Sequence, residues 1–201
     1  MKIYDISQEV YTCKVFPGDP APQKEVLAQI ADGSVCNLTA FSMCSHNGTH
    51  VDAPYHFLDT GKNISQIPLE YFIGPAYVAE HEGDILADDA IDILQRARDV
   101  DPKSTRRILV KGNAVVTLEG AAVFAEAGLV LFGNESQTVG PENAPMEVHR
   151  KMLGADMVFL EGIRLKEVSE GAYFLNAAPI HLGSGDGAPC RAVLMELDER
   201  F

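Results

Sequence analysis

The sequence SHNGTHVDAPYHF, residues 45–57, holds the most informative pattern in the chain. Three of the six histidines of the protein, His46, His50 and His56, lie within eleven residues together with Asp52. A uniform distribution would place fewer than one histidine in such a window. The four positions share parity, so their side chains project to one side wherever the segment is extended. Because the Asn-Gly and Ala-Pro steps disfavour a helix, we expect an extended, turn-punctuated loop that gathers three imidazoles and a carboxylate.

These side chains are the ligand types of a catalytic divalent cation. Neutral imidazole nitrogens and carboxylate oxygens bind zinc and leave one coordination position for water. Gly48 permits close backbone approach, and Thr49 offers a hydroxyl that can orient a ligand. The alternatives are a surface loop that is rich in histidine by chance, and histidines that are hydrogen-bonded within the core. Cys44 also has the parity to join the group, although a buried, reduced thiol is the simpler interpretation.

The composition is typical of a globular protein and excludes several classes of function. Hydrophobic residues make up 46% of the chain and charged residues 22%, which excludes disordered and low-complexity proteins. Sixteen Lys and Arg against 29 Asp and Glu give a formal net charge of −13, so we expect no nucleic-acid partner. No apolar run approaches the ~18 residues of a membrane span, and the acidic N-terminal segment does not resemble a signal peptide. We therefore predict a cytoplasmic protein without membrane association, whose 201 residues form a single domain, 1–201.

The two halves of the chain differ in periodicity. Alternating and β-branched residues predict mainly antiparallel strands at 2–6, 25–30, 36–44 and 74–80. Further along, predicted helices alternate with short apolar runs, which is typical of βαβ units around a parallel sheet. The predicted helices are 88–98, 118–127 and 145–153, and the strands between and after them are 107–110, 129–132 and 157–160. The chain then returns to predicted strands at 172–182 and 191–197. The predicted fold class is α/β, with mixed parallel and antiparallel sheets in one domain.

Residues 45–57 closely resemble the H-x-G-T-H-x-D-x-P-x-H-F signature of the cyclase superfamily, which includes the bacterial kynurenine formamidases. Further resemblances extend over nearly the whole chain. Near the start, Asp5-Ile6-Ser7 resembles the D-I-S segment of the family, and residues 16–19 resemble its W-P-G-D segment. Further along, His149-Arg150 with Leu153 resembles its H-x-x-L-L segment, and residues 159–162 resemble its L-E-G segment. Residues 186–189 with Arg191 resemble its D-G-A-P-x-R segment. The resemblance implies a swivelling β/β/α fold that assembles as a homodimer or homotetramer.

The resemblance also implies a hydrolase with two divalent metal ions per chain. The ligands that it implies are His46, His50 and Asp52 for the first ion, and Asp52, His149 and Glu161 for the second. His56 would then be the proton-transfer residue. Without the resemblance, His149 is equally an exposed helix residue, while Glu161 is either a strand-end cap or a site residue at the carboxyl end of a parallel strand. A mixed set of imidazole and carboxylate ligands suits both Zn²⁺ and Mn²⁺, and we expect Zn²⁺ first.

The implied reaction is hydrolysis of an amide-type carbon–nitrogen bond by a metal-activated water, with an arylformamide such as N-formylkynurenine as the small-molecule substrate. Phe16 stands where the formamidases have tryptophan, and we expect its ring to cover the apolar face of the substrate. This difference, and the departure of residues 133–138 from the formamidase pattern, leave open a cyclic amide such as isatin, or a lactone. A non-catalytic metal-binding protein is the alternative from another class. Asp186 and Arg191 either form a structural pair or help to shape the site.

Overall fold

The computed structural model describes residues 1–196, and its largest element is a mixed sheet of nine strands. The described strands are β1 (Lys2–Asp5), β2 (Gln23–Ala28), β3 (Leu38–Ser42), β4 (His50–Asp52), β5 (Ile73–Glu80), β6 (Gly83–Ile85), β7 (Arg107–Lys111), β8 (Ala114–Val116), β9 (Leu131–Asn134), β10 (Val158–Glu161), β11 (Gly171–Asn176), β12 (Gly187–Pro189) and β13 (Val193–Glu196). The α-helices are α1 (Ala87–Val100), α2 (Leu118–Glu126) and α3 (Met146–Leu153). None of the helices within residues 1–196 has the length and hydrophobicity to cross a membrane.

The large sheet has the strand order β1-β13-β11-β5-β7-β9-β10-β4-β12. Its central strands β5, β7, β9 and β10 run parallel, as the alternation of helices and apolar runs predicts. The strands on both sides of them pair antiparallel. Strands β2 and β3 form a separate hairpin, and β6 and β8 form a short parallel pair. The prediction of a mixed α/β fold is therefore confirmed.

The predicted elements differ from the observed ones mainly where strands are short. The predicted strand at 172–182 ends already at Asn176, because its side chain accepts a hydrogen bond from the backbone of Ala178 and Pro179 has no N–H to donate. Strands β4 and β12, of three residues each, lie in segments without a readable strand pattern. Residue 197, the last of the final predicted strand, lies outside the described residues.

Both faces of the central sheet are buried, which is the usual state of parallel strands. On β5 and β7, Tyr77 and Ile108 pack into the apolar cluster that includes α1, α2 and α3. The alternate residues Val78 and Leu109 pack into the cluster on the opposite face. This alternation follows the two-residue period of a strand. Any polar side chain on the helix-covered face of the neighbouring strands is therefore removed from solvent.

Candidate metal centre

Strand β4 lies between β10 and β12 and carries two of the predicted ligands. His50 and Asp52 project from one face of the strand, while Val51 projects from the other into the apolar core. The antiparallel register with β10 sets Glu161 opposite His50, so both side chains lie on the same face. Three residue types that bind metals are thus brought together by the pairing of two strands.

Helix α3 places His149 against this face of the sheet. The imidazole is 2% exposed and packs edge-on against the ring of Phe159, with a centroid distance of 4.9 Å. The carbonyl of Pro145 accepts hydrogen bonds from the backbone N–H of His149 and from its Nδ1, at 3.1 and 2.9 Å. The opposite nitrogen, Nε2, then lies 3.4 Å from Glu161 Oε1 and 3.9 Å from Asp52 Oδ2.

The five predicted ligands form two groups that share Asp52. In the first group, His46 Nδ1 and His50 Nε2 lie 2.8 and 3.3 Å from Asp52 Oδ1. In the second group, Asp52 Oδ2 faces His149 and Glu161. The ligand atoms of each group lie within 4.8 Å of one another. Asp52 therefore directs one carboxylate oxygen to each group, as a bridging ligand would.

The outer ring nitrogens of the three histidines all have acceptors. Nδ1 of His50 lies 3.1 Å from the carbonyl oxygen of Gly48, and Nδ1 of His149 lies 2.9 Å from that of Pro145. Nε2 of His46 lies 2.9 Å from Asp186 Oδ2. Such contacts hold the proton on the outer nitrogen and direct the lone pair of the inner nitrogen to the centre. The donors present therefore fit a borderline divalent cation such as Zn²⁺.

The carboxylates of the centre lie next to imidazoles that can carry a positive charge. Asp52 and Glu161 are only 1% and 2% exposed, and two buried carboxylates side by side require positive partners. Burial alone would lower the pKa of His46, but Asp52 and Asp186 raise it to about 11. Burial likewise opposes the charge on His50, while its contacts with Asp52 and Glu161 raise its pKa to about 9. The raised pKa values favour protonated imidazoles beside the carboxylates when no metal is bound, and a divalent cation would compete with these protons.

His56 lies at the mouth of the centre, with its side chain 28% exposed. Its ring stacks on that of His46 at a centroid distance of 3.9 Å, and its Nδ1 lies 3.5 Å from Asp186 Oδ2. Phe57 packs between His56 and His149, with centroid distances of 4.6 and 4.4 Å. His56 thus borders both the buried ligands and solvent, which is a suitable position for a group that exchanges protons.

Phe16 lines the cleft of about 240 Å³ that opens over the predicted ligands. The backbone N–H of Asp19 donates to the carbonyl of Phe16 at 3.1 Å, and Gly18 has a φ of 102°. This is the arrangement of a type II turn with Pro17 and Gly18 at its central positions. The turn carries Phe16 to the cleft, as the resemblance implies, and its contact with a substrate stays a prediction.

Asp186 is the site residue that sequence reasoning left undecided. It does not pair with Arg191, whose Nε donates to Asp5 at 2.9 Å. Asp186 instead contacts His46, His56 and the hydroxyl of Ser45. Its pKa is held well below the usual range, chiefly by the hydrogen bond with His46. The only signal in the sequence is the resemblance of residues 186–189 to a family motif.

Cys44, the remaining residue of matching parity, stays apart from the ligands. Its thiol lies 4.0 Å from Asp19 Oδ2, and the metal-ligating groups found within residues 1–196 do not include it. The simpler interpretation of this cysteine as a non-ligand agrees with that position.

Comparisons with known proteins agree with this arrangement. Residues 4–140 match the family model described as "Putative cyclase". The chain is 32% identical to the kynurenine formamidase of Erythrobacter litoralis over 98% of this chain and 95% of the relative. It is 33% identical to the kynurenine formamidase of Salinibacter ruber, with 98% of each chain covered. A solved structure described as a potential metal-dependent hydrolase with cyclase activity superimposes with a TM-score of 0.78, at 26% identity and 96% coverage of both chains.

Gly162, the residue after Glu161, packs too tightly to accept a side chain. It has a φ of 68°, and a Cβ there would lie 2.3 Å from the carbonyl oxygen of Gly48 and 2.1 Å from Gln137 Nε2. The same Gly48 carbonyl holds the ring of His50. The close contact of the two glycines therefore helps to position His50 on β4 and Glu161 on β10.

We expect Gly162→Ala to lower the free energy of unfolding by more than about 3 kcal/mol and to weaken metal binding, because it combines backbone strain with overpacking. Denaturant unfolding and elemental analysis measure both effects. Gly128→Ala is the matched control, since Gly128 has a φ of 75° but a Cβ there would meet no atom within 4 Å. It should cost about 1–2 kcal/mol and leave the metal content unchanged. Equal losses in the two variants would contradict the packing argument.

Proposed function

The chain belongs to the cyclase family and is homologous over its full length to kynurenine formamidases, and from this premise we propose that it is a metal-dependent amidohydrolase. The proposed substrate is an arylformamide such as N-formylkynurenine. The observation that carries the proposal is the pair of buried ligand groups that share Asp52, with His56 beside them at the cleft.

In this proposal two divalent ions bind per chain, with Zn²⁺ as the native metal and Mn²⁺ as the alternative. His46, His50 and Asp52 would hold one ion, and Asp52, His149 and Glu161 the other. When bound, such an ion lowers the pKa of a coordinated water to about 7 and polarises a carbonyl oxygen. No serine or cysteine nucleophile is then required.

The protein's own contribution to the chemistry begins with His56. Its Nδ1 faces Asp186, so its Nε2 is the nitrogen available to carry a proton to the leaving amine. Phe57 covers the flank of His56 and His149, which keeps bulk water from that side of the reacting group. Proton transfer by a positioned side chain is typically worth about 10²–10⁴-fold in rate.

The wall of the cleft offers two further groups to the substrate. Within the described residues, the side-chain oxygens of Gln137 and Thr138 are buried without a hydrogen-bond partner. Gln137 Nε2 donates to the carbonyl of Gly48 at 3.1 Å, so the free oxygen of this amide can only accept. A substrate that presents an N–H or O–H at this wall would therefore satisfy it, and Phe16 would cover an aromatic ring from the side.

The proposed activity is tested with a panel of N-formylkynurenine, formanilide, isatin and a lactone. We expect hydrolysis of the arylformamides, loss of activity on treatment with a chelator, and recovery on addition of Zn²⁺ or Mn²⁺. Turnover of isatin or of the lactone alone would replace the proposed substrate class by the alternative that the sequence leaves open. Metal binding without turnover of any member would identify a non-catalytic metal-binding protein.

Two substitutions separate metal binding from proton transfer. His56→Ala should retain its metal and lose about 10²–10⁴-fold in kcat, because only proton transfer is removed. Asp52→Ala should lose metal as well as activity, because Asp52 belongs to both ligand groups. Metal content by elemental analysis and steady-state kinetics check both variants. Full kcat in His56→Ala would exclude it as the proton-transfer residue.

Phe16→Ala should raise KM for an aromatic substrate about 2–10-fold, since an aromatic contact is worth about 0.5–1.5 kcal/mol beyond burial. Its metal content should not change. Phe16→Trp should improve turnover of N-formylkynurenine if the larger ring is what the formamidases require. An unchanged KM in Phe16→Ala, together with a lower melting temperature, would show that the ring only packs within the protein.

We also propose that the chain forms a homo-oligomer through the hairpin of β2 and β3. Large apolar side chains of residues 23–42 are half or more exposed; they are Val26, Leu27, Ile30, Val35, Leu38 and Phe41. A two-stranded hairpin is only marginally stable without packing on one face. The segment carries only three charged residues, Lys24, Glu25 and Asp32, in a chain of net charge −13, so charge repulsion between two copies is small here.

The assembly is measured by light scattering after size exclusion. We expect the wild type to have the mass of a dimer or tetramer, and Phe41→Glu to shift it towards the monomer. Ile91→Glu is the control, because Ile91 is 55% exposed on α1 and Phe41 is 58% exposed on the hairpin. A monomeric wild type, or an unchanged mass in Phe41→Glu, would contradict the proposal.

A further inference from the structure

One carboxylate at the mouth of the cleft contacts two histidines with different predicted roles. Asp186 Oδ2 lies 2.9 Å from His46 Nε2 and 3.5 Å from His56 Nδ1. Its other oxygen accepts a hydrogen bond from the hydroxyl of Ser45 at 3.1 Å. The backbone carbonyl of Asp186 accepts from the N–H of Ala53 at 2.9 Å, which ties the residue to the end of β4. Asp186 is therefore fixed at its backbone and at both carboxylate oxygens.

The outer nitrogen of His46 differs from those of the other two predicted ligand histidines. His50 and His149 are held by backbone carbonyls, which are neutral and belong to the main chain. His46 is held by a charged side chain. A carboxylate acceptor makes the imidazole a more basic ligand than a carbonyl does. Its negative charge can also be removed by a single substitution without disturbing the backbone.

His46, His56 and Asp186 also lie close enough together to form a candidate ligand group. The positions of Asp52 and Asp186 around His46 nevertheless favour an orienting role for Asp186. His46 and Asp52 already face each other through Nδ1 and Oδ1 at 2.8 Å, deep in the centre. The ring can present only one nitrogen to that side, and the nitrogen facing Asp186 points to the mouth. The side chain of Asp186 is 41% exposed, whereas that of Asp52 is 1% exposed. The two carboxylates thus lie on opposite sides of the His46 ring.

We propose that Asp186 is a positioning residue that orients His46 towards the metal centre and His56 towards the substrate. Through one oxygen it holds Nε2 of His46, which leaves Nδ1 directed to Asp52, and it faces Nδ1 of His56 at 3.5 Å, which leaves Nε2 for the substrate. The part that concerns His56 rests on the proposed hydrolase function. The part that concerns His46 rests only on the donor geometry.

The His46 part is tested by the affinity for Zn²⁺, measured in competition with a chromophoric chelator. Asp186→Asn replaces the carboxylate by a neutral amide and should bind Zn²⁺ about 10–100-fold more weakly than the wild type, as mutation of an outer partner of a ligand histidine typically does. Asp19→Asn is the matched control, because Asp19 lines the same cleft without a described contact to a histidine. Unchanged affinity in Asp186→Asn, or an equal loss in Asp19→Asn, would overturn the assignment.

The His56 part is tested by kinetics at saturating Zn²⁺, in the wild-type and His56→Ala backgrounds. Asp186→Asn should lower kcat at least about 10-fold with little change in KM, because orientation of the proton-transfer group acts on the chemical step. In the His56→Ala background it should have no further effect on kcat. An equal loss in both backgrounds would overturn the coupling. If the wild type hydrolyses no member of the panel, the proposed function fails, while the affinity measurement still decides the His46 part.

Discussion

The burial of Asp52 and Glu161 side by side is the constraint on which the rest of the site depends. Each carboxylate is almost fully removed from water, and an isolated charge in such a place carries a large desolvation cost. Strand pairing nevertheless sets Glu161 beside His50 and hence close to Asp52. Positive charge beside the two carboxylates offsets this cost. The raised pKa values of His46 and His50 favour protonated imidazoles as its source when no metal is bound, and divalent cations would supply it when they bind.

The fold holds these groups through contacts that lie outside the ligands themselves. Gly48 and Gly162 pack their backbones together, and the carbonyl of Gly48 then orients His50. The carbonyl of Pro145, directly before α3, orients His149 in the same manner. These contacts use backbone carbonyls that lie just before β4 and just before α3. The mouth of the site differs, since side chains alone hold His46 and His56 there. Backbone carbonyls thus orient the buried histidines of the centre, and the histidine that would exchange protons is more accessible.

The sequence predicts the local part of this site well, and the distant part only through resemblance. Shared parity is confirmed for His50 and Asp52, which lie on one strand. His46 and His56 lie outside that strand. A turn at Gly48 brings His46 close to His50 and Asp52, and a short 3₁₀ turn does the same for His56. Spacing alone does not reveal these turns. Glu161 joins them because β4 inserts next to β10, a pairing between segments more than a hundred residues apart. Periodicity gives no information on such pairings. It also does not predict that Asp186 lies beside His46, because the strand that follows Asp186 is only three residues long.

The central proposal is that two metal ions would bind per chain and that Asp52 would contribute one carboxylate oxygen to each. Crystals grown with Zn²⁺ and measured at the zinc absorption edge test it most directly. The account predicts two anomalous peaks per chain, one among His46, His50 and Asp52 and the other among Asp52, His149 and Glu161. A single peak, or a second peak away from His149 and Glu161, would contradict it.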